Sequence, residues 1–249
     1  MRRSDILPHL AAVAGFSAIA LCVVLTSCIG VSAKRTAKSS GDGYFIQTCP
    51  GEIVTAGDAG LIDDFEDGNT QVAKREGRGG YWWRSADSDG SKFDNDENKP
   101  TPDGCSGSSL CLHQFGKTSE KGGAWGVNFG ANLSQEGTIN LAQYVGISFH
   151  AKSRSGVGHK VRFKISDINT HPNLGVCKAC WNHWGKDIQL TGDWREYRVL
   201  FSGVEQIPGW GDPRPPSIDP SRIYSIDFSI DAGQTFDMWV DDLQLLKCK

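Results

Sequence analysis

The stretch Leu61-Ile-Asp-Asp-Phe-Glu-Asp-Gly-Asn69 crowds four carboxylates into five positions of an otherwise apolar segment. A buried strand avoids this pattern, because like charges repel and uncompensated buried carboxylates are costly. A cation would remove the conflict, since Ca²⁺ prefers carboxylate and carbonyl oxygens. A matching acidic segment, Met238-Trp-Val-Asp-Asp-Leu-Gln-Leu-Leu246, lies near the end of the chain. The two segments predict a sandwich whose first and last strands meet and share an ion. The alternative is a strand that ends in a solvated acidic turn.

The N-terminal segment has the pattern of a secretory signal over residues 1–27. It begins with Met1-Arg-Arg3 and continues with an almost wholly apolar run from 10 to 25, which is short for a spanning helix. The run ends in Leu25-Thr-Ser-Cys28, which resembles the lipobox of bacterial lipoproteins. That resemblance implies cleavage before Cys28, lipidation of its thiol and anchoring to a bacterial membrane, with Ile29 favouring the outer membrane or cell surface. The alternative is an ordinary cleaved signal.

The rest of the chain divides into a tether and one domain. Residues 28–43 are rich in Ser, Lys, Ala and Gly and show no apolar period, which is typical of a flexible linker. Residues 44–249 have short apolar alternations between Gly, Asp and Asn clusters and no helical period, which predicts an all-β, two-sheet antiparallel sandwich. The expected strands are 110–114, 123–129, 145–152, 160–167, 186–190, 195–201, 225–231 and 237–246.

Charge and cysteine usage narrow the function classes. The formal charge is −3 and no basic run stands out, which disfavours a nucleic-acid partner. Cys22 belongs to the signal and Cys28 to the lipid anchor. Outside the cytoplasm, the remaining thiols predict three disulfides, for which fifteen connectivities exist. The sequence leaves the connectivity open, and the pairing that we favour is Cys105 with Cys111, Cys177 with Cys180, and Cys49 with Cys248.

Two other residue groups have metal-ligand character. His171, Cys177, Cys180 and His183 lie within thirteen residues, and zinc accepts such ligands. An oxidising compartment instead favours a bond between the two cysteines. The acidic loop 85–104 has carboxylates for a second Ca²⁺ but lacks the spacing of an EF-hand, so a solvated loop is the expectation.

No catalytic motif is evident. Glycosidases place two carboxylates across one cleft, and the sequence has neither a paired-carboxylate run nor a Gly-x-Ser-x-Gly elbow. Glu196, Glu205 and Asp227 remain as unrecognised candidates. A glycoside hydrolase is therefore the enzyme alternative to a binding protein.

Tryptophans give the strongest indication of a ligand. Trp194 and Trp239 alternate with polar residues as packed strand residues do, whereas Trp181, Trp184 and Trp210 lie in loops beside charged or imidazole side chains. An exposed indole beside polar donors suits a sugar, whose C–H face stacks on the ring while its hydroxyls form hydrogen bonds. The alternative is that these tryptophans fold back onto the core.

Polar side chains also recur on one face of the predicted strands. If these strands share a sheet, His150, Arg162, Lys164 and Asp227 lie on the same face. That face is either the floor of a ligand groove or the solvated face of an antiparallel sheet.

The order of several segments resembles the galactose-binding-like jelly rolls, near carbohydrate-binding module family 11. These segments are 61–69, 146–152, 194–201, 206–211 and 236–243. The resemblance implies a β-sandwich with structural Ca²⁺ held by Asp64, Glu66 and Asp241. It also implies binding of a polysaccharide, such as a β-glucan, in a groove. The tyrosine platforms of that family have no clear match here, and the Cys177/Cys180 pair has no counterpart.

These observations predict a lipid-anchored surface protein that binds polysaccharide or oligosaccharide without cleaving it. A jelly-roll glycoside hydrolase and a surface module that binds other proteins are the two alternatives.

Overall fold

The computed structural model describes residues 46, 48–105, 107–154 and 159–249. These residues belong to a compact unit that spans 39–249. The predicted signal sequence, Cys28 and the tether lie outside them. Helical structure in the described ranges consists of short 3-10 turns at Gly57–Gly60, Pro172–Leu174 and Phe201–Gly203, and none of these could cross a membrane.

The described residues form two antiparallel sheets, which confirms the predicted all-β sandwich. One sheet has eight strands, with the order β11-β8-β13-β6-β4, and β1 and β2 also pair with β13 while β5 pairs with β6. The other has five strands in the order β10-β9-β12-β7-β3. The strands are β1 (Ile53–Thr55), β2 (Leu61–Asp63), β3 (Trp82–Ala86), β4 (Lys92–Phe93), β5 (Pro100–Pro102), β6 (Leu110–Lys117), β7 (Val127–Asn132), β8 (Gly146–Ser153), β9 (His159–Asp167), β10 (Trp184–Leu190), β11 (Arg195–Leu200), β12 (Ile223–Ile230) and β13 (Thr235–Cys248).

The core lies between the two sheets and is built from alternating apolar positions. In β9, Val161, Phe163 and Ile165 are buried, as the period of two predicts. Phe149 of the larger sheet contacts Phe163 and Phe228 of the smaller one, with ring centroids 4.8 and 5.0 Å apart. Full burial of such a side chain stabilises the fold by about 1.5–3 kcal/mol.

The boundary of β7 differs from the prediction. The strand begins at Val127 and not at Gly123, because Gly123 and Gly126 have positive φ angles of 93° and 98°, which favour glycine and form a turn. A side chain at Gly126 would place its Cβ 1.9 Å from the carbonyl oxygen of Ile230. The turn therefore brings β7 against β12 at the correct register.

The first and last strands meet, as the two acidic segments predict. Asp63 pairs with Leu243 in the ladder between β2 and β13. Asp63 is buried, and it accepts hydrogen bonds from the Trp82 indole at 2.7 Å and from the Phe65 backbone at 2.9 Å. Burial raises the pKa of Asp63 to about 7. The acidic segment thus contributes a carboxyl group to the edge of the core.

Two of the three expected disulfides are present. Cys49 is bonded to Cys248, and Cys177 to Cys180. The expected Cys105–Cys111 bond is wrong, because both are free, buried thiols that face different partners. The Cys105 thiol donates to Asp242 Oδ2 at 3.0 Å, whereas the Cys111 thiol is directed at the carbonyl oxygens of residues 101 and 102, on β5.

Candidate functional site

A groove of about 710 Å³ covers the outer face of the five-stranded sheet. Its floor comes from β3, β7, β9 and β12, and its rim comes from the loops that carry Trp125, Trp181 and Trp210. A cavity of this size, with aromatic walls and a few polar groups, is typical of a small-molecule or oligosaccharide site. We refer to it as the sheet groove.

Strand register arranges the floor of the sheet groove in two rows. In the first row Lys164 lies opposite Asp227, Asp227 opposite Gly130, and Gly130 opposite Trp83. Gly130 packs so closely on β12 that an added Cβ would lie 2.1 Å from the carbonyl oxygen of Ile226. The second row crosses the same strands through Arg162, Ser229, Asn128 and Ser85.

Ion pairs hold the charged side chains of this floor. Lys164 Nζ lies 3.0 Å from Asp227 Oδ1 and donates to Asn128 Oδ1 at 3.2 Å. Arg162 pairs with Asp187 at 2.9 Å and donates to the Glu205 carbonyl at 2.6 Å. Burial raises the pKa of Asp227, and the Lys164 ammonium opposes that rise. The result is a rigid floor with one basic and one acidic group at its centre.

Two polar atoms of the floor are buried beneath the surface of the groove. Asp227 Oδ1 and Arg162 Nε are shielded from solvent and make no hydrogen bond with any described residue. The Lys164 ammonium, 3.0 Å away, compensates Asp227 Oδ1 as an ion pair. Buried polar atoms usually find a partner, and each exception calls for an explanation. A ligand would therefore meet the exposed indoles and the polar side chains that line the groove before it reached either buried atom.

The rim of the sheet groove is aromatic and exposed. Trp181 and Trp210 are 60% and 44% exposed, and Trp125 is 45% exposed. Trp181 has a positive φ of 78°, a conformation that is uncommon for a bulky residue. It directly follows the Cys177–Cys180 disulfide, and its backbone N–H donates to Thr170 at 2.9 Å. The loop therefore fixes an indole that faces the groove.

Asn182 joins the two rim loops, a role that no sequence pattern predicted. Its Nδ2 donates to the carbonyl oxygens of Ile207 and Trp210 at 2.9 and 2.6 Å, and its Oδ1 accepts from Ile207 N at 2.9 Å. One amide side chain thus satisfies three backbone groups of the 207–210 loop. It sets the position of Trp210 relative to Trp181.

Of the predicted ligand-binding residues, Arg162, Lys164, Asp227, Trp181 and Trp210 lie together in the sheet groove. Their grouping follows from the predicted strand alternation and loop positions.

The expectation for Trp184 is wrong. Trp184 is the first residue of β10 and only 3% exposed, and its indole N–H donates to Asp167 Oδ2 at 3.0 Å. It faces inward together with Ile188 and Leu190, which share its side of the strand. A strand therefore begins where the sequence suggested a loop.

The expectation for His150 is also wrong. His150 lies on β8, opposite Glu196 of β11 and Asp241 of β13. These strands belong to the eight-stranded sheet. Alternation correctly predicted that His150 faces away from the core, but its outer face is on the opposite side of the sandwich from Arg162 and Asp227.

Several groove residues were missed at the level of sequence. Trp83 follows the buried Trp82 in β3. The two-residue period of a strand could therefore have predicted that Trp83 faces outward. Tyr224 lines the groove because a β-bulge between Ile223 and Ser225 changes the facing of β12. His171 packs on Tyr224 with centroids 4.2 Å apart. Burial lowers the pKa of His171, so its ring is neutral at pH 7.

The expected calcium ligands lie around one junction but do not converge as a set. Asp64 Oδ1 accepts from Glu66 N at 3.3 Å. Glu66 Oε1 accepts from the Ser108 hydroxyl and from the backbone of residues 109 and 110. Asp241 accepts from Cys105 N at 2.9 Å, and burial raises the pKa of Asp241 to about 6. Within the described residues, the three carboxylates do not form a group whose ligand atoms all lie within 4.8 Å, so the side chains would have to move closer together to hold one ion.

The fold is that of the carbohydrate-binding-module jelly rolls. CtCBM11, studied in solution, superimposes with a TM-score of 0.55 at 18% identity and covers 78% of this chain and 99% of its own. The family 11 module from Clostridium thermocellum, in complex with a β-1,3-1,4-mixed-linked tetrasaccharide, gives 0.51 at 18% identity, with 67% and 89% covered. The family 30 module of the cellulosomal cellulase Cel9D-Cel44B from the same organism gives 0.50 at 16% identity, with 72% and 97% covered. No protein-family profile matches the chain, and no curated protein does.

Proposed function

We propose that the chain binds a polysaccharide or oligosaccharide in the sheet groove and does not cleave it. The observation that carries this proposal is the sheet groove itself, in which exposed indoles of the rim stand over a floor that carries the Lys164–Asp227 ion pair. Sugars present hydroxyl groups on their edges and apolar C–H groups on their faces, so one ligand class uses both features. The fold shared with carbohydrate-binding modules supports the same class.

A β-glucan is the ligand that we propose within this class. One structure with the same fold holds a β-1,3-1,4-mixed-linked tetrasaccharide, and the 710 Å³ of the sheet groove leaves room for several sugar rings. Binding should be weak, roughly −4 to −8 kcal/mol or millimolar to micromolar. Each sugar hydroxyl gives up water when it pairs with Asp227 or Arg162, so the net gain per hydrogen bond is about 1 kcal/mol.

Calorimetric titration with a mixed-linked β-glucan oligosaccharide tests the proposal. Trp181→Ala and Trp210→Ala should each lower the affinity about 10-fold, or about 1.4 kcal/mol, because each removes a stacking surface. Trp194→Ala is the matched control and should leave the affinity unchanged, because Trp194 contacts Lys152 on the eight-stranded sheet. Binding that is equally strong in all three variants, or lost equally in all three, contradicts a groove site. A failure of every glycan on a broad array to bind would favour a protein-interaction module.

The alternative function for the same groove is hydrolysis of a glycosidic bond. Of the three acids considered from the sequence, Asp227 lines the groove, whereas Glu196 lies on β11 of the other sheet. Asp231 is a second groove carboxylate. Release of reducing ends from a β-glucan that disappears in both Asp227→Asn and Asp231→Asn would replace binding with hydrolysis.

We also propose a structural calcium ion at the junction of β2 and β13. The proposal rests on the meeting of the two acidic segments at this junction, where burial raises the pKa of Asp63 to about 7 and that of Asp241 to about 6. Ca²⁺ added to the chelator-stripped chain should raise its melting temperature, because an ion at a hundredfold excess over Kd contributes roughly 2.7 kcal/mol. Asp64→Asn should lose the effect and Asp58→Asn, an acid on the preceding turn, should keep it. An unchanged melt in Ca²⁺ would contradict the proposal.

A lipid on Cys28 would hold this domain at a bacterial surface, where polysaccharides are accessible. The proposal rests on the Leu25-Thr-Ser-Cys28 motif and the apolar run before it. Several acyl chains are needed for stable anchoring. The intact mass of the membrane-extracted protein tests it, and an N-terminal cysteine without lipid would exclude the anchor.

A further inference from the structure

A cluster of unlike ligand groups lies on the opposite side of the molecule from the sheet groove. Single ligand atoms of Cys105, His150 and Asp242 all lie within 4.8 Å of one another. His150 alternates in β8 with the core residues Phe149 and Ala151, so it faces outward from the eight-stranded sheet. We refer to this set as the Cys-His-Asp cluster.

An irregularity in the middle of β13 assembles this cluster. The register of β13 against β8 shifts between Asp241 and Gln244, and Asp242 has a positive φ of 48°. The carboxylate of Asp241 accepts from the backbone N–H of Cys105 at 2.9 Å and from that of Asp242 at 2.8 Å. One buried carboxylate thereby fixes the backbone of two cluster members.

The three ligand atoms converge without fully satisfying one another. The Cys105 thiol donates to Asp242 Oδ2 at 3.0 Å, and His150 Nδ1 lies 3.6 Å from the same oxygen. His150 Nδ1 is shielded from solvent and makes no hydrogen bond with any described residue. The three ligand atoms therefore surround one point, at which His150 Nδ1 has no hydrogen-bond partner among the described residues.

We propose that the Cys-His-Asp cluster binds Zn²⁺ through Cys105 Sγ, His150 Nδ1 and Asp242 Oδ2. Zinc accepts thiolate, imidazole and carboxylate ligands in tetrahedral geometry, and three protein ligands leave one position for water. Ca²⁺ does not suit the cluster, because it takes oxygen ligands in larger number. The Asp241 carboxylate, which holds Cys105 and Asp242 in place, has the role of an outer partner that orients metal ligands.

Zinc binds the thiolate form of Cys105, so zinc binding must release the thiol proton. Zn²⁺ replaces the proton on Cys105 Sγ, the Zn–S bond forms as the S–H bond breaks, and one proton passes to the buffer. His150 contributes the lone pair of Nδ1 and Asp242 one carboxylate oxygen. Zinc binding changes no oxidation state in the protein.

Metal titration of the full-length, chelator-stripped chain tests this proposal. We expect one Zn²⁺ per chain, with release of about one proton measured in buffers of different ionisation enthalpy. Co²⁺ in place of zinc should give a sulfur-to-metal charge-transfer band. Cys105→Ser and His150→Asn should weaken zinc binding by more than the roughly 10–100-fold that loss of an outer partner costs. Cys111→Ser and His113→Asn, a thiol and an imidazole outside the cluster, are the matched controls and should bind as the wild type does.

Three results would overturn the site. These are zinc affinity that is unchanged in His150→Asn, a Co²⁺ complex without the sulfur band, and a Cys105–Cys111 disulfide in the purified chain under non-reducing conditions. The band is measured on the wild type, so the test holds even if Cys105→Ser fails to fold. Calcium at Asp64 is distinguished by its own ion and variant, because Asp64→Asn leaves all three zinc ligands in place.

Discussion

Trp184→Ala should lower the free energy of unfolding by about 3–5 kcal/mol, the range for truncation of a large buried aromatic residue. Trp184 is 3% exposed, so its removal leaves a cavity between the sheets. It also removes the indole donor of Asp167 Oδ2, and burial already raises the pKa of that carboxyl group. Equilibrium unfolding in urea measures the loss.

Trp181→Ala is the matched control for this prediction. Trp181 lies three positions before Trp184 but is 60% exposed. Its replacement should therefore change the free energy of unfolding by no more than about 0.5 kcal/mol. Trp184→Ala should therefore destabilise the fold, whereas Trp181→Ala should weaken ligand binding and leave stability nearly unchanged. Similar stabilities for both would place Trp184 outside the core and contradict the position of β10.

Cys49→Ser with Cys248→Ser should have the second large effect on stability. This disulfide joins residues 199 positions apart, and the loss of chain entropy in the unfolded state predicts a contribution of about 5 kcal/mol. It also ties β1, which pairs with the last residues of β13, to the end of the chain. Urea unfolding under non-reducing conditions measures the difference.

Cys177→Ser with Cys180→Ser provides the comparison for that disulfide. Its sequence separation is 3, for which the same relation gives only about 2 kcal/mol. This pair should instead affect the groove, because Trp181 directly follows Cys180 and depends on the loop for its position. A loss of stability as large as that of the Cys49–Cys248 pair would show that loop closure does not govern either effect.

The sequence carried enough information for the strands and the groove floor. The period of two in β9 and β12 determines which side chains face outward, and this predicted Arg162, Lys164 and Asp227 on one surface. The same period does not say which sheet a strand joins, because pairing depends on contacts between distant segments. His150 was therefore assigned to the correct type of face on the wrong sheet.

Local irregularities account for the remaining errors. The start of β10 at Trp184 follows a loop without a clear boundary signal in the sequence, and the bulge that turns Tyr224 into the groove breaks the alternation that prediction relies on. Cys105 and Cys111 are close in sequence, but β6 and the preceding loop direct their thiols to different partners. Such features depend on the three-dimensional path of the backbone.

The most direct test of the binding site is a nuclear magnetic resonance titration of the indole N–H signals with a mixed-linked β-glucan oligosaccharide. The chain has 8 tryptophans, and Trp83, Trp125, Trp181 and Trp210 line the sheet groove. We expect the signals of these four residues to shift with ligand. The signals of Trp194 and Trp239, whose rings flank Lys152 on the other sheet, should stay unchanged. Shifts confined to Trp194 and Trp239, or no shift at any indole, would contradict glycan binding in the groove.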